Sequence, residues 1–170
     1  METVRLAIIG GGVIGRRHAN AISMLNNTKL AAICDPGPSG RQLAEDMGVP
    51  LHLNTRTIFT EDNIDGVIVS TPTENHFRPT LEALDAGCHV LVEKPMTATL
   101  NEADQIIRKA SENSHHVLVG HHRRYYSLVQ KNRNHLNLLL KVSKLKYLLQ
   151  VKVLPQKNYL SMKALDPNLY

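Results

Sequence analysis

Tryptophan is absent from this 170-residue chain, which has only two phenylalanines and five tyrosines. So sparse a set of aromatics leaves no stacking platform for single-stranded nucleic acid. Cysteine is almost as scarce. Cys34 and Cys88 each fall in an apolar, strand-like run, and both are expected as buried reduced thiols rather than a disulfide. No apolar run approaches the ~20 residues of a membrane helix, so no membrane partner is expected. Met1-Glu2-Thr3 passes straight into Val4-Arg5-Leu6-Ala7-Ile8-Ile9, without the basic and apolar regions of a secretion signal. The expected location is cytoplasmic. Acidic residues nearly vanish from the last fifty positions. Residues 121–170 hold 10 Lys+Arg against Asp166 alone, whereas residues 1–120 hold 10 against 14 Asp+Glu. Every glycine lies at or before Gly120, so composition changes near that residue. The basic tail carries no nucleic-acid-binding motif and is expected as a solvated surface, with no nucleic-acid partner.

What is present is an ordinary globular composition, 42% hydrophobic and 21% charged. The length suffices for one nucleotide-binding domain with a full core but not for a complete second domain. Short apolar runs alternate with amphipathic stretches, the order of a parallel sheet with helices on both faces. The expected strands are 4–9, 29–34, 66–70, 88–92 and 116–119. The expected helices run from Val13 to Leu25, Ser39 to Met47, Asn75 to Asp85 and Leu100 to Ser111, with Asn75 at a start and Gly87 just past an end. Pro79 would fall in the first turn of its helix, where its missing N–H has no partner to lose. The fold class is therefore doubly wound α/β.

Gly10-Gly11-Gly12-Val13-Ile14-Gly15 follows the first strand and opens the first helix. Gly10 permits the tight turn, Gly12 lets the backbone approach a pyrophosphate, and Gly15 lets the helix pack closely on the sheet. The N–H groups at Val13 and Ile14 then face the phosphates, helped by the helix dipole. Asp35 follows Gly15 by twenty residues, at the end of the second apolar run, where an acid can accept hydrogen bonds from an adenosine ribose diol. The other reading of Asp35-Pro36-Gly37-Pro38 is a turn with an Asx start. An acid at 35 repels a 2′-phosphate, so NAD is the expected cofactor, while Ser39 and Arg41 keep NADP open.

A second motif, Val92-Glu93-Lys94-Pro95, ends the strand Cys88-His89-Val90-Leu91-Val92 at the edge where doubly wound sheets bind ligands. Lys94 there, partly desolvated beside a nicotinamide, is placed to exchange a proton with a substrate hydroxyl, with Glu93 holding it. The plainer reading is a solvated Glu-Lys pair before a connection. Nine histidines include His115-His116 and His121-His122, without helical i, i+4 spacing or a nearby cysteine, so no metal is expected.

Three segments together resemble one family: Gly10 to His18; Val67-Ile68-Val69-Ser70-Thr71-Pro72-Thr73-Glu74-Asn75-His76; and Ala83-Leu84-Asp85-Ala86-Gly87-Cys88-His89-Val90-Leu91-Val92-Glu93-Lys94-Pro95. They look like the glucose-fructose oxidoreductase / inositol dehydrogenase family of NAD(P)-dependent oxidoreductases, whose nucleotide domain is a Rossmann fold. The resemblance covers the chain to about residue 126. It implies that Lys94 serves substrate binding and catalysis, that Lys94-Pro95 is cis, and that Ser70, Thr71, Pro72 and His76 lie along the cofactor cleft with Glu93. Gly120-His121-His122-Arg123-Arg124-Tyr125-Tyr126 resembles the segment by which inositol dehydrogenase-like members leave the nucleotide domain, and it adds Arg124 to the cofactor-binding residues.

The resemblance divides the chain into a nucleotide-binding domain, 1–123, and an incomplete start of the family's second α/β domain, 124–170. Leu145 to Val153 resembles that domain's first strand, but Val142 to Lys146 replaces the glycines expected before it. The aspartate and histidine that the second domain supplies to catalysis have no counterpart here. Family members often build dimers or tetramers through it, so a homo-oligomer is implied. Three expectations follow: an oxidoreductase acting on a sugar, inositol or related polyol, a non-catalytic NAD-binding module, or a fragment of a longer enzyme.

Overall fold

The computed structural model describes residues 3–61, 63–122 and 126. The chain divides into two units, Met1–Gly120 and His121–Tyr170. Leu145 to Val153, Arg124 and most of the expected second domain lie outside the described residues.

The first unit contains six parallel strands, β1 (Val4–Ile9), β2 (Thr28–Cys34), β3 (Leu51–His52), β4 (Gly66–Val69), β5 (His89–Val92) and β6 (Val117–Val119). Their order in the sheet is β3-β2-β1-β4-β5-β6. Five helices connect them: α1 (Val13–Ser23), α2 (Pro38–Met47), α3 (Thr55–Glu61), α4 (Phe77–Asp85) and α5 (Leu100–Glu112). Alternation along β1 divides the core between the two faces of the sheet. Ala7 and Ile9 pack with Ile58, Leu84 and Ile106 under α3, α4 and α5, whereas Ile8 packs with Ile22, Ile33 and Leu43 under α1 and α2. Ile8, Ile33, Leu43, Ile58, Leu84 and Ile106 are fully buried. Each such side chain stabilises the fold by about 1.5–3 kcal/mol.

Where the elements differ from expectation, a backbone hydrogen bond explains the shift. α1 ends at Ser23 rather than Leu25, because Met24 N and Leu25 N donate to Ala21 O and Ile22 O in a tightened last turn. β5 begins at His89 rather than Cys88, whose N–H closes the preceding helix on Ala83 O. Gly87, at φ +83°, donates to Leu84 O, which completes a Schellman stop. Asn75 does not start α4. It belongs to a 3₁₀ turn over Thr73–Asn75, and α4 begins at Phe77, with Thr80 N on His76 O. Pro79 does fall in the first turn. α5 begins with a capping box, in which Thr99 Oγ1 accepts from Glu102 N and Glu102 Oε2 accepts from Thr99 N.

β3 and α3 are missing from the expected elements. β3 has two residues, too few for a periodic signal, and joins the sheet by pairing Ile33 with Leu51 and Cys34 with His52. α3 is rich in β-branched Thr55, Thr57, Ile58 and Thr60, which disfavour helix locally. Burial of Ile58 overrides that propensity. The one signal that marked it was Asn54, whose Oδ1 accepts from Thr57 N at 3.2 Å as an N-cap.

Cys34 and Cys88 are free and buried, and burial first, then nearby carboxylates, pushes both thiols up to about 11. Among the described residues no helix is long and apolar enough to cross a membrane, and no group of three or more His, Cys, Asp or Glu side chains is disposed to hold a metal ion.

Candidate functional site

Parallel register aligns the carboxyl ends of the strands. Ile9 pairs with both Cys34 and Val69, Val69 with Val92, and Val92 with Val119. The next residues, Gly10, Asp35, Ser70, Glu93 and Gly120, therefore form one row. Their N–H groups extend the ladder one step beyond the strands: Gly10 to Cys34 O, Asp35 to His52 O, Ser70 to Ile9 O, Glu93 to Val69 O and Gly120 to Val92 O, at 2.8–3.0 Å. Residues far apart in sequence thus meet at the edge where such sheets take ligands.

The three glycines of the first motif have different reasons to be glycine. Gly10 has φ +102°, and a Cβ there would lie 2.7 Å from Thr71 N. A Cβ at Gly15 would lie 2.0 Å from Gly10 O, so α1 crosses its own entry turn in contact. A Cβ at Gly12 would meet nothing within 4 Å. Its emptiness is the cradle that a bound group would fill. Gly12 caps α1 without any side-chain hydrogen bond, and the first turn holds no acid, so the leading N–H groups at Val13 and Ile14 are presented to an anion. Gly11, Gly12, Val13, Arg16, Arg17, Asn20, Ser39 and Gln42 line a cleft of about 530 Å³. Arg16 is tied across it to Asp46, at 2.6 Å.

Asp35 Oδ2 accepts from Gly11 N and Oδ1 from Gly37 N, each at 2.6 Å. The second bond is the Asx turn that the sequence left as an alternative, and the first fastens β2 to the glycine turn. Each carboxylate oxygen keeps a further lone pair for an outside donor, so the Asx turn and a diol contact are compatible. Gly40 leaves room for this carboxylate, since a Cβ there would lie 2.2 Å from Asp35 Cβ.

Ser70 Oγ donates to Gly10 O at 2.9 Å, and Thr71 Oγ1 donates to Asn75 O at 3.0 Å. Both hydroxyls shape the wall of the site. Pro72 follows, exposed. His76 does not line the cleft, because its ring is buried, with Nδ1 2.9 Å from Pro95 O and Nε2 2.8 Å from Thr71 O. A carbonyl only accepts, so a neutral ring satisfies one contact and an imidazolium both. Lys94-Pro95 is cis. Glu93 is turned inward: Oε1 lies 3.0 Å from His18 Nε2, and Oε2 accepts from Lys94 N at 3.2 Å. Lys94 itself is exposed, and among the described residues its Nζ has no hydrogen-bond or ion-pair partner. Among the described residues nothing covers its amine.

His18 had no expected role. Its position three residues after Gly15, on α1 and one helical turn from the cleft, was the signal that it faces the sheet edge.

Such a sheet order, glycine turn and acid at the end of β2 define a dinucleotide-binding Rossmann domain. Residues 4–121 match the oxidoreductase family with an NAD-binding Rossmann fold, and the chain belongs to that family. Among curated relatives, it is 30% identical over 131 residues to the UDP-N-acetylglucosamine 3-dehydrogenase of Acidithiobacillus ferrooxidans, covering 76% of this chain and 41% of that one. Among solved structures, GenD2 from gentamicin A biosynthesis, in complex with NAD, is 27% identical with a TM-score of 0.68, covering 71% and 35%. The myo-inositol 2-dehydrogenase of Lactobacillus plantarum is 27% identical with a TM-score of 0.74, covering 81% and 42%. The chain thus spans less than half the length of these relatives.

Proposed function

We propose that this chain is the nucleotide-binding part of an oxidoreductase that binds NAD across the carboxyl edge of its sheet and acts on a hydroxyl-bearing carbon of a sugar, inositol or related polyol. The row Gly10, Asp35, Ser70, Glu93, Gly120, open at Gly12, is the observation that carries this reading. The substrate class follows from the relatives named above, a nucleotide-sugar dehydrogenase and an inositol dehydrogenase.

In this reading Gly12, Val13 and Ile14 receive the pyrophosphate, and Asp35 receives the adenosine ribose diol with the lone pairs that Gly11 and Gly37 leave free. A 2′-phosphate would meet the same carboxylate, so NAD is preferred to NADP. When bound, NAD supplies the hydride chemistry. Thr71 and Pro72 shape the wall beside the nicotinamide end, and Lys94 Nζ, unpartnered among the described residues, takes or returns the proton of the substrate hydroxyl. The nucleotide-binding domain spans 1–123, and residues 124–170 begin a second domain that pairs copies of the chain. The cytoplasm is the proposed location.

The test is titration of the purified chain with NAD and NADP, following thermal unfolding. NAD should raise the melting temperature more than NADP, and Asp35→Ala should weaken the effect. Bound NAD would then justify a polyol screen read by NADH absorbance, with Lys94→Ala abolishing turnover but not NAD binding. Binding without turnover of any polyol would leave a nucleotide-binding module. No binding of either nucleotide by folded protein sinks the proposal.

A further inference from the structure

We propose that His18 and His76 are positioning residues that fix Lys94 by gripping the residue on each side of it; this rests on the reading of Lys94 as the group beside the nicotinamide.

Lys94 sits between two residues whose own freedom is removed from opposite directions. On its N-terminal side, His18 of α1 holds Glu93 Oε1 at 3.0 Å. The pair is mostly shielded, with side-chain exposures of 22% and 15%. Gly120, next in the row beyond β6, leaves the space that the carboxylate occupies: a Cβ there would lie 2.9 Å from Oε1 and 3.0 Å from Cδ. With Oε1 held, Oε2 is placed to accept from Lys94 N at 3.2 Å. On the C-terminal side, His76 holds Pro95 O through Nδ1 at 2.9 Å, while Nε2 faces Thr71 O at 2.8 Å. His76 is 1% exposed, and Thr80 Oγ1 donates to its carbonyl at 2.8 Å, so the ring works from a fixed base.

The backbone at 93–95 is therefore tied to α1, to the loop after β4 and to the start of α4, whereas the Lys94 side chain is tied to nothing among the described residues. A long flexible lysine is useful beside a reacting atom only if its root is fixed, because an error at Cα carries through to Nζ. The two imidazoles fix the root and leave the amine free. Because α1 also presents its N-terminus to the cofactor phosphates, His18 joins the two ends of the site through one rigid helix.

The contacts specify the test. His18 acts through Nε2, the position that a glutamine amide can imitate and the shorter asparagine amide cannot. His76 sets its two nitrogens against two different carbonyls, and no amide side chain reproduces both positions. In the full chain, acetylation of Lys94 by acetic anhydride is followed by mass spectrometry with and without NAD, alongside the melting temperature. In the wild type NAD should slow Lys94 acetylation severalfold. In His18→Asn, His18→Leu and His76→Leu, NAD should still raise the melting temperature but its protection of Lys94 should be largely lost, and His18→Gln should restore it. The contrast between His18→Gln and His18→Asn, both mild changes, stands even where a leucine variant does not fold. Asparagine and glutamine variants that protect Lys94 as the wild type does would overturn the role of His18, and normal protection in a folded His76→Leu would overturn that of His76. If NAD leaves wild-type Lys94 unprotected, the reading of Lys94 itself fails and the proposal with it.

Discussion

The β1-α1-β2 half of the sheet and the β4-α4-β5 half present opposite chemistry at the same edge. The first works by omission: Gly10, Gly12 and Gly15 expose backbone, and the Asp35 carboxylate beside them is occupied with the N–H groups of Gly11 and Gly37. The second works by side chains, with His76, Glu93 and the serine and threonine hydroxyls consumed in shaping loops around Lys94, whose amine has no partner among the described residues. An anion with many lone pairs is satisfied by fixed backbone donors, whereas a proton in transit needs a titratable group on a steady base. The glycines of one half and His76 of the other, with His18 reaching across from α1, are all means of placement.

The comparison breaks most readily at Gly15. Gly15→Ala puts a methyl 2.0 Å from Gly10 O, where backbone must move, and should cost about 3 kcal/mol of stability as an overpacked site. Denaturant unfolding measures it, and an unchanged midpoint would show that α1 and the turn are looser than described. Gly12→Glu is the reverse case. Its Cβ enters open space at φ −69°, so stability should change by no more than about 0.5 kcal/mol. NAD binding should nevertheless be lost, because the carboxylate occupies the phosphate cradle. Two glycines three residues apart in one motif would then separate folding from binding.

A third prediction concerns the opposite edge of the sheet, where His89 contacts the rings of His115 and His116. Burial first, then repulsion from His116 and His115, lowers the pKa of His89 below 6.5, while Asp65 opposes the shift. The unfolded chain therefore takes up a proton more readily, and the stability from neutral His89 is present above pH 6.5 and lost as pH falls below it. The melting temperature should drop between pH 7.5 and 5, and His89→Gln should flatten that slope. An equal slope in the variant would assign acid sensitivity elsewhere. The smallest effect is expected at the cysteines. With both thiols pushed up to about 11, neither Cys34 nor Cys88 should react with a thiol reagent at pH 7 until the chain unfolds.

Much of the frame was legible from local pattern. The strands that became β1, β2, β4, β5 and β6 each carry a short apolar run of the kind a sheet covered on both faces requires. β3 and α3 were not legible, since a two-residue strand has no period and α3 is helical against its β-branched composition. The Gly10, Gly12 and Gly15 pattern marked the turn, and the chain's resemblance to its family marked Lys94. Neither revealed what His18 and His76 hold, because their partners are 75 and 19 residues away in sequence, and the signal for such contacts is register, not spacing.

The sequence by itself determined that β-strands and helices alternate, that one glycine turn opens a helix after the first strand, and that an acid and a lysine follow strands at set distances. Local sterics and hydrophobic periodicity suffice for that, because each acts within a few residues. Only the tertiary structure decided that Gly10, Asp35, Ser70, Glu93 and Gly120 form a single row, that Asp35 faces the glycine turn, and that His76 lies beneath the loops instead of along the cleft. Those choices rest on strand register and close packing, in which the position of each group is set by residues far from it in the chain.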